Sequence, residues 1–205
     1  MIGPSIRSRR QPAFNLPPMT KWLLAVNVGV HLLRLILPSD LDDSLVFDLA
    51  FMPLRYHAGH WSSWPALVAP ITYQFLHASL LHLGVNMLAL VAFGAGVEQR
   101  ILGWRFLLFY LLCGIAGAAA QFAVDPNGAE LLIGASAAIS GLFGAILRFR
   151  VARQGIWLIV IIWLATNVVT GVSGAGSAGP IAWIAHMGGF AAGLILFPLF
   201  DRRRV

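Results

Sequence analysis

Long uninterrupted runs of apolar residues dominate the chain and recur six times. The runs do not alternate between apolar and polar positions, as strands would, and each is about as long as a helix that crosses a bilayer. The predicted spans cover residues 21–37, 78–97, 104–124, 131–148, 156–173 and 180–200. The pattern therefore predicts an all-α, polytopic membrane protein built as a six-helix bundle.

The segments outside these runs have a different character. Residues 1–19 are basic and hold four prolines, which predicts a disordered cytoplasmic tail without a cleavable signal peptide, and residues 201–205 form a second basic tail. Residues 38–77 form the one long connection and mix aromatic with polar side chains. Because such aromatics favour the membrane interface, we expect a loop lying partly in the bilayer.

Composition excludes an ordinary soluble domain. Of the 205 residues, 59% are apolar and 11% are charged, whereas soluble domains carry roughly 25% charged residues. The net charge of +6 does not indicate a nucleic-acid partner, because the basic residues stand at the ends of apolar runs. The single cysteine, Cys113, excludes an intramolecular disulfide and a thiolate zinc cluster.

Basic residues also predict the orientation in the membrane. With a cytoplasmic N-terminus, all but two of the 14 basic residues fall inside. The exceptions are Arg34, which we expect to extend outward from the end of span 1, and Arg55. The acids that fall outside are Asp40, Asp42, Asp43, Asp48, Asp125 and Glu130. The positive-inside rule then predicts six spans with both termini in the cytoplasm.

Four polar residues stand inside spans, where lipid makes them costly and therefore candidates for function. His82 and Asn86 lie one turn apart on one face of span 2, Ser136 lies in span 4 and His186 in span 6. A structural interpretation is open for each: His82 and Asn86 can join helices, and a lone serine usually bonds to a carbonyl one turn earlier.

The depth of these residues in their predicted spans favours a catalytic role over a structural one. Ser136 and His186 are five and six residues in from the outer ends of their predicted spans, and His82 and Asn86 occupy a similar layer. A serine, a histidine and two donors at one depth can supply a nucleophile, a base and an oxyanion site. The spans hold no Asp or Glu at that depth, so we expect a Ser–His pair.

Two other classes of histidine-using membrane protein are weaker hypotheses. In a haem-binding cytochrome, His82 and His186 would form only one ligand pair and would leave Ser136 unexplained. Proton-coupled transport more often uses Asp or Glu within the spans, and these are missing.

Four motifs, read together, resemble the rhomboid family of intramembrane serine proteases. They are His77 through Asn86, Gly134–Ser136, Ala185–Gly189 and Gly96–Arg100. The resemblance covers residues 20–200 and implies a six-span rhomboid-like protease domain. It implies a cavity open to the outside, cleavage of peptide bonds in or near the transmembrane segments of membrane proteins, and no metal or organic cofactor.

The resemblance also implies roles for single residues. Ser136 would be the nucleophile and His186 the general base, and His82 and Asn86 would contact the oxyanion. His77, Gly134 and Gly189 would support the site. Glu98 and Arg100 would be structural, tying the cytoplasmic end of span 2.

The sequence departs from the family at three places. Ala137 replaces a glycine beside the nucleophile, Ser140 replaces an aromatic residue that supports the histidine ring, and Val68–Ala69 replace a Trp-Arg pair. An alternative function is therefore a catalytically inactive rhomboid-like protein that binds transmembrane helices.

Span 5 is the predicted entry point for a substrate. Its bulky residues, among them Trp157, Ile161 and Trp163, predict weaker packing than glycine-rich spans have, while Asn167 and Thr170 either line the cavity or bond a neighbouring helix. The short tails favour a bacterial inner membrane as the location.

Overall fold

The computed structural model of the protein describes residues 16–57, 59, 61–150, 158, 160–163, 165 and 182–201. Regular structure in these ranges is helical, which confirms the all-α prediction. The helices are α1 (Pro18–Leu35), α2 (Ser39–Leu49), α3 (Pro53–His57), α4 (Trp64–Thr72), α5 (Leu80–Ile101), α6 (Gly103–Val124), α7 (Ser136–Arg150) and α8 (Ala182–Phe200), with a 3₁₀ turn at Tyr73–Phe75. Most of predicted span 5, the predicted N-terminal tail up to residue 15 and the C-terminal residues 202–205 lie outside the described residues.

Three of the described helices are long and apolar enough to cross a membrane: Leu80–Ile101, Gly103–Val124 and Trp183–Phe200. A shorter apolar helix, Ser136–Phe149, stands among them. The chain is thus an integral membrane protein by the length and composition of its helices. Their bounds agree with predicted spans 2, 3 and 6 to within a few residues.

Two predicted boundaries differ from the structure. Span 4 was expected from residue 131, but α7 begins at Ser136, because the backbone of Leu132 pairs with that of Phe51 and Gly134 has a φ of 121° that no helix allows. The 38–77 connection was expected to be a loop, yet it holds α2, α3 and α4. These helices are too short to register as spans.

Glycines let α7 and α8 approach each other closely. A Cβ on Gly193 would stand 1.9 Å from the carbonyl oxygen of Gly141, and one on Gly189 would stand 2.0 Å from that of Ala137. No side chain fits at either contact, so the two backbones touch. This contact brings the N-terminal turn of α7 beside the N-terminal half of α8.

The 38–77 connection fixes the approach to α7. Phe51 and Leu132 exchange two backbone hydrogen bonds of 3.1 and 2.8 Å, and the Gly134 N–H donates to the carbonyl of Tyr73 at 2.9 Å. The Tyr73 hydroxyl in turn donates to the Gly114 carbonyl of α6 at 2.7 Å. The residues immediately before Ser136 are therefore held on both sides.

Candidate active site

Ser136 and His186 meet through a hydrogen bond between two helices. The Oγ of Ser136, the first residue of α7, lies 2.7 Å from Nε2 of His186 in α8. Both residues are only partly buried. A hydroxyl at this distance from an imidazole nitrogen can pass its proton to the ring.

The position of Ser136 differs from the one expected. Its predicted place was five residues inside a span, whereas the structure puts it at the start of a helix. Residues 131–135 are apolar but not helical, so hydropathy alone assigned them to the helix. As a consequence, the N–H groups around Ser136 belong to a first helical turn, where backbone donors lack partners within the helix and attract negative charge.

His82 faces the backbone just before Ser136. A Cβ built on Gly134 would stand 2.9 Å from Nε2 of His82 and 3.7 Å from Oγ of Ser136. A side chain at position 134 would therefore collide with the His82 ring, and glycine lets the imidazole lie close to the backbone just before Ser136. The φ of 121° at Gly134 independently requires glycine there.

The ring of His82 is held from the segment before α5. Its Nδ1 accepts from the Ala78 N–H at 3.4 Å, so the ring proton is assigned to Nε2, the ring nitrogen on the side of Gly134. The Ser79 hydroxyl oxygen caps α5 by accepting from the His82 N–H at 3.1 Å. These contacts leave His82 partly exposed.

His77 packs behind His82 and is itself buried, with 1% of its surface exposed. The two rings meet edge to face, with centroids 5.1 Å apart. Burial, aided by the neighbouring His82 and His31, lowers the pKa of His77 to about 3. The His77 ring is therefore neutral at neutral pH and contacts His82 as a packing partner.

Asn86 lies one turn below His82 on α5 and is buried. Its side-chain Nδ2 donates to the carbonyl of His82 at 2.9 Å. This bond uses one of the two N–H groups of the Asn86 amide and steadies the turn that carries His82. The nitrogen carries a second N–H that this bond does not use.

Ala137 and Ser140, two of the departures from the family pattern, both lie in the first two turns of α7. Ala137 is 1% exposed, and its methyl packs against α6, where a Cβ on Gly117 would stand 2.6 Å from it. The Ser140 hydroxyl donates to the Ser136 carbonyl at 2.8 Å, the bond to the preceding turn that serines in helices commonly make.

Glu98 joins α5 to the start of α1. Its Oε1 accepts from the Met19 N–H at 2.9 Å, and its Oε2 accepts from the Thr20 N–H and hydroxyl, both at 2.7 Å. The carboxylate caps a helix whose own N-cap residue, Pro17, offers no side-chain oxygen. This geometry fits the structural role predicted for Glu98.

Arg100 joins α5 to the end of α8. Its Nε and Nη2 donate to one carboxylate oxygen of Asp201 at 3.0 and 2.7 Å. The guanidinium also lies over the rings of Phe149 and Phe197, at 4.8 and 5.8 Å from their centroids. Arg100 thus lies far along α5 from His82, as its predicted structural role requires.

Arg34 is the residue near the site that sequence reasoning missed. Instead of extending into solvent, its guanidinium pairs with Asp42 of α2 and donates to the carbonyl of His77. The only sequence signal was a charged residue at the end of a span, and a partner eight residues later in a segment expected to be loop gave no reason to pair them.

Predicted span 5 is described only in part. Trp163 stacks on Phe190 of α8 with ring centroids 4.8 Å apart and lies 5.4 Å from the ring of Phe143. Asn167, Thr170 and Trp157 lie outside the described residues. Across the described ranges, no group of three histidine, cysteine or acidic side chains is placed to hold a metal ion.

Comparison with known proteins shows which family this chain resembles. The model of the Rhomboid domain matches residues 65–203. The chain is 36% identical over 140 residues to the rhomboid protease GluP of Bacillus subtilis, covering 65% of this chain and 26% of that protein. It is 25% identical to RHOMBOID-like protein 5 of Arabidopsis thaliana, covering 91% and 71%, and 31% identical to rhomboid-type serine protease 2 of Emericella nidulans, covering 65% and 26%.

Two of these three relatives are much longer, since this chain spans about a quarter of their length. The match of the domain model, in contrast, extends over most of this chain and includes both Ser136 and His186. The chain therefore belongs to the rhomboid family.

Proposed function

We propose that the protein is an intramembrane serine endopeptidase that cleaves peptide bonds in or near the transmembrane segments of membrane proteins. The observation that carries the proposal is the 2.7 Å contact between Ser136 Oγ and His186 Nε2, with the imidazole of His82 packed against the backbone just before Ser136. A nucleophile, a base and a hydrogen-bond donor are then close together at the start of α7.

In the proposed reaction, Ser136 Oγ attacks the carbonyl carbon of the scissile bond while its proton passes to Nε2 of His186. The resulting oxyanion is stabilised by His82 Nε2–H, by the free N–H of Asn86 and by the backbone N–H of Ser136 at the start of α7. His186 then gives its proton to the leaving amine, and an acyl ester forms on Ser136. A water molecule, deprotonated by His186, hydrolyses that ester and restores the hydroxyl.

The membrane substrate is part of the proposal. Ser136 and His186 stand on helices packed beside α5 and α6, which are long enough to span the bilayer, so a segment already in the membrane reaches them most readily. We assign six spans with both termini in the cytoplasm. Support comes from Lys21, Arg100 and Arg105 at one end of α1, α5 and α6 and from Asp42 and Asp125 at the other.

A fluorophosphonate probe tests the nucleophile directly. We expect the purified protein to be labelled at one residue, mapped by mass spectrometry to Ser136, and we expect S136A and H186A to lose both the label and the cleavage of a single-span substrate in proteoliposomes. S44A, which changes an exposed serine of α2, is the matched control and should keep both. Cleavage by S136A at the wild-type rate would refute the assignment. A folded wild-type protein that neither labels nor cleaves would instead favour the inactive helix-binding alternative.

A further inference from the structure

The guanidinium of Arg34 connects three segments at the outer end of the bundle. Its Nε and Nη2 donate to Oδ1 and Oδ2 of Asp42 at 2.7 and 3.0 Å, a two-point pairing that fixes the plane of the group. Its Nη1 donates to the backbone carbonyl of His77 at 2.9 Å. Only 12% of the Arg34 side chain and 25% of that of Asp42 are exposed.

The carbonyl that Arg34 holds belongs to the segment on which His82 rests. Residues 76–79 form a short connection between the 3₁₀ turn and α5, and its ends are fixed by bonds from the Leu76 N–H to the Tyr73 carbonyl (3.2 Å) and from the Leu83 N–H to the Ser79 carbonyl (2.9 Å). This segment supplies the Ala78 N–H at His82 Nδ1, the Ser79 cap of the helix and the buried ring of His77 against the His82 ring. A displacement of the segment therefore displaces the imidazole of His82.

We infer that Arg34, oriented by Asp42, is a positioning residue for His82. This inference rests on the proposed function, in which His82 donates to the oxyanion. Arginine is needed because a planar group with several donors reaches a carboxylate and a carbonyl together, whereas a lysine ammonium presents one charge at one point. Donors to a developing oxyanion must be held closely in place, so a small shift of the ring lowers the rate.

A second arginine–aspartate pair in the chain provides a control for the effect of losing the arginine. Arg100 and Asp201 form another arginine–aspartate pair, partly buried, at the opposite end of α5 from His82. If arginine pairs of this kind act only by holding helices together, R34K and R100K should have similar effects. If Arg34 acts through His82, the two variants should differ.

The experiment compares R34K, D42N and R100K by kinetics. In a cleavage assay with a single-span substrate, we expect R34K and D42N to lower kcat roughly tenfold with KM within about twofold of wild type, the pattern of a lost transition-state contact. We expect R100K to leave kcat within about twofold even if its thermal stability falls. D42N breaks the same pair from the other side and serves if R34K does not fold.

A spectroscopic measurement keeps the inference separate from the proposed function. The chain has six histidines, so histidine-labelled protein gives a short set of ring resonances, in which that of His82 is identified by its loss in H82Q. We expect the His82 resonance to shift in R34K and D42N and to stay in place in R100K. An unmoved His82 resonance in both R34K and D42N overturns the inference whether or not the protein cleaves, while failure of the S136A test overturns only the proposed function.

Discussion

The imidazole of His82 faces the α-carbon of Gly134, so closely that a Cβ there would stand 2.9 Å from Nε2. Glycine at position 134 lets the ring lie this close to the backbone, and its φ of 121° allows no other residue without strain. Glycine at this place therefore has two separate causes, one conformational and one steric.

Replacing Gly134 by alanine should abolish activity. The new methyl would stand 2.9 Å from the His82 ring and push it away, and we expect kcat/KM for a single-span substrate to fall at least about 100-fold, as when an oxyanion donor is removed. Fluorophosphonate labelling should fall with it. G84A is the control, because a Cβ on Gly84 meets nothing within 4 Å on the same helix as His82. Wild-type labelling of folded G134A would contradict the assignment of His82 as a donor to the oxyanion.

Replacing Gly189 or Gly193 by alanine should separate α7 from α8. The added methyl would collide with the carbonyl of Ala137 or Gly141, and such overpacking costs about 1–3 kcal/mol. Because His186 lies one turn before Gly189, the gap to Ser136 should widen and cleavage should fall together with the thermal midpoint. Thermal unfolding in detergent measures the first effect and substrate cleavage the second. G29A, an exposed position of α1 with open space around it, should change neither.

Replacing Ala137 by glycine should destabilise the protein without activating it. The methyl packs against α6 and is 1% exposed, so restoring the glycine typical of the family opens a small void there and loosens α7. We expect the free energy of unfolding to fall by about 1 kcal/mol, with kcat within roughly threefold of wild type. A large rise in kcat for A137G would mean that the methyl crowds the site after all.

The Arg34–Asp42 pair should give a pH-dependent contribution to stability. The hydrogen bond from Arg34 lowers the pKa of the Asp42 carboxyl, so the folded state binds a proton there less readily than the unfolded state. The contribution is fully present above the unfolded pKa of about 3.9 and is lost as pH falls through the lower folded value. Because the pair is partly solvated, we expect no more than about 1 kcal/mol.

Unfolding of wild type and D42N as a function of pH measures this contribution. The wild type should be the more stable above pH of about 4, and the two curves should converge below it as Asp42 takes up its proton. A difference that grows on acidification would contradict the direction of the shift.

Helices α5, α6 and α8, which are long and apolar enough to cross a membrane, were predictable because their apolar runs are long and continuous. The extended backbone of residues 131–135 was not predictable, since an apolar segment has the same hydropathy whether it is helical or extended. What makes it extended is a backbone pairing of Leu132 with Phe51, a contact between residues far apart in sequence. The hydropathy of a segment does not depend on such a contact and therefore cannot predict it.

The placement of His82 and Asn86 one turn apart on one helix was predictable from their spacing, while their contact with an oxyanion stays a prediction. The contact of Ser136 with His186 was expected from their similar depth, although Ser136 lies at a helix start rather than inside a span. Arg34 escaped prediction because its role depends on Asp42 and on a backbone carbonyl, and a carbonyl is present at every position of any sequence.

The carboxylate of Glu98 has a consequence for the order of assembly. Helix α1 leaves the ribosome before α5, and the group that binds the N–H of Met19 and Thr20 is made only when α5 has been translated nearly to its end. Until then these two amide protons lack the carboxylate and are left to water or headgroups. The amino end of α1 thus obtains its final anchorage from a helix that is made later.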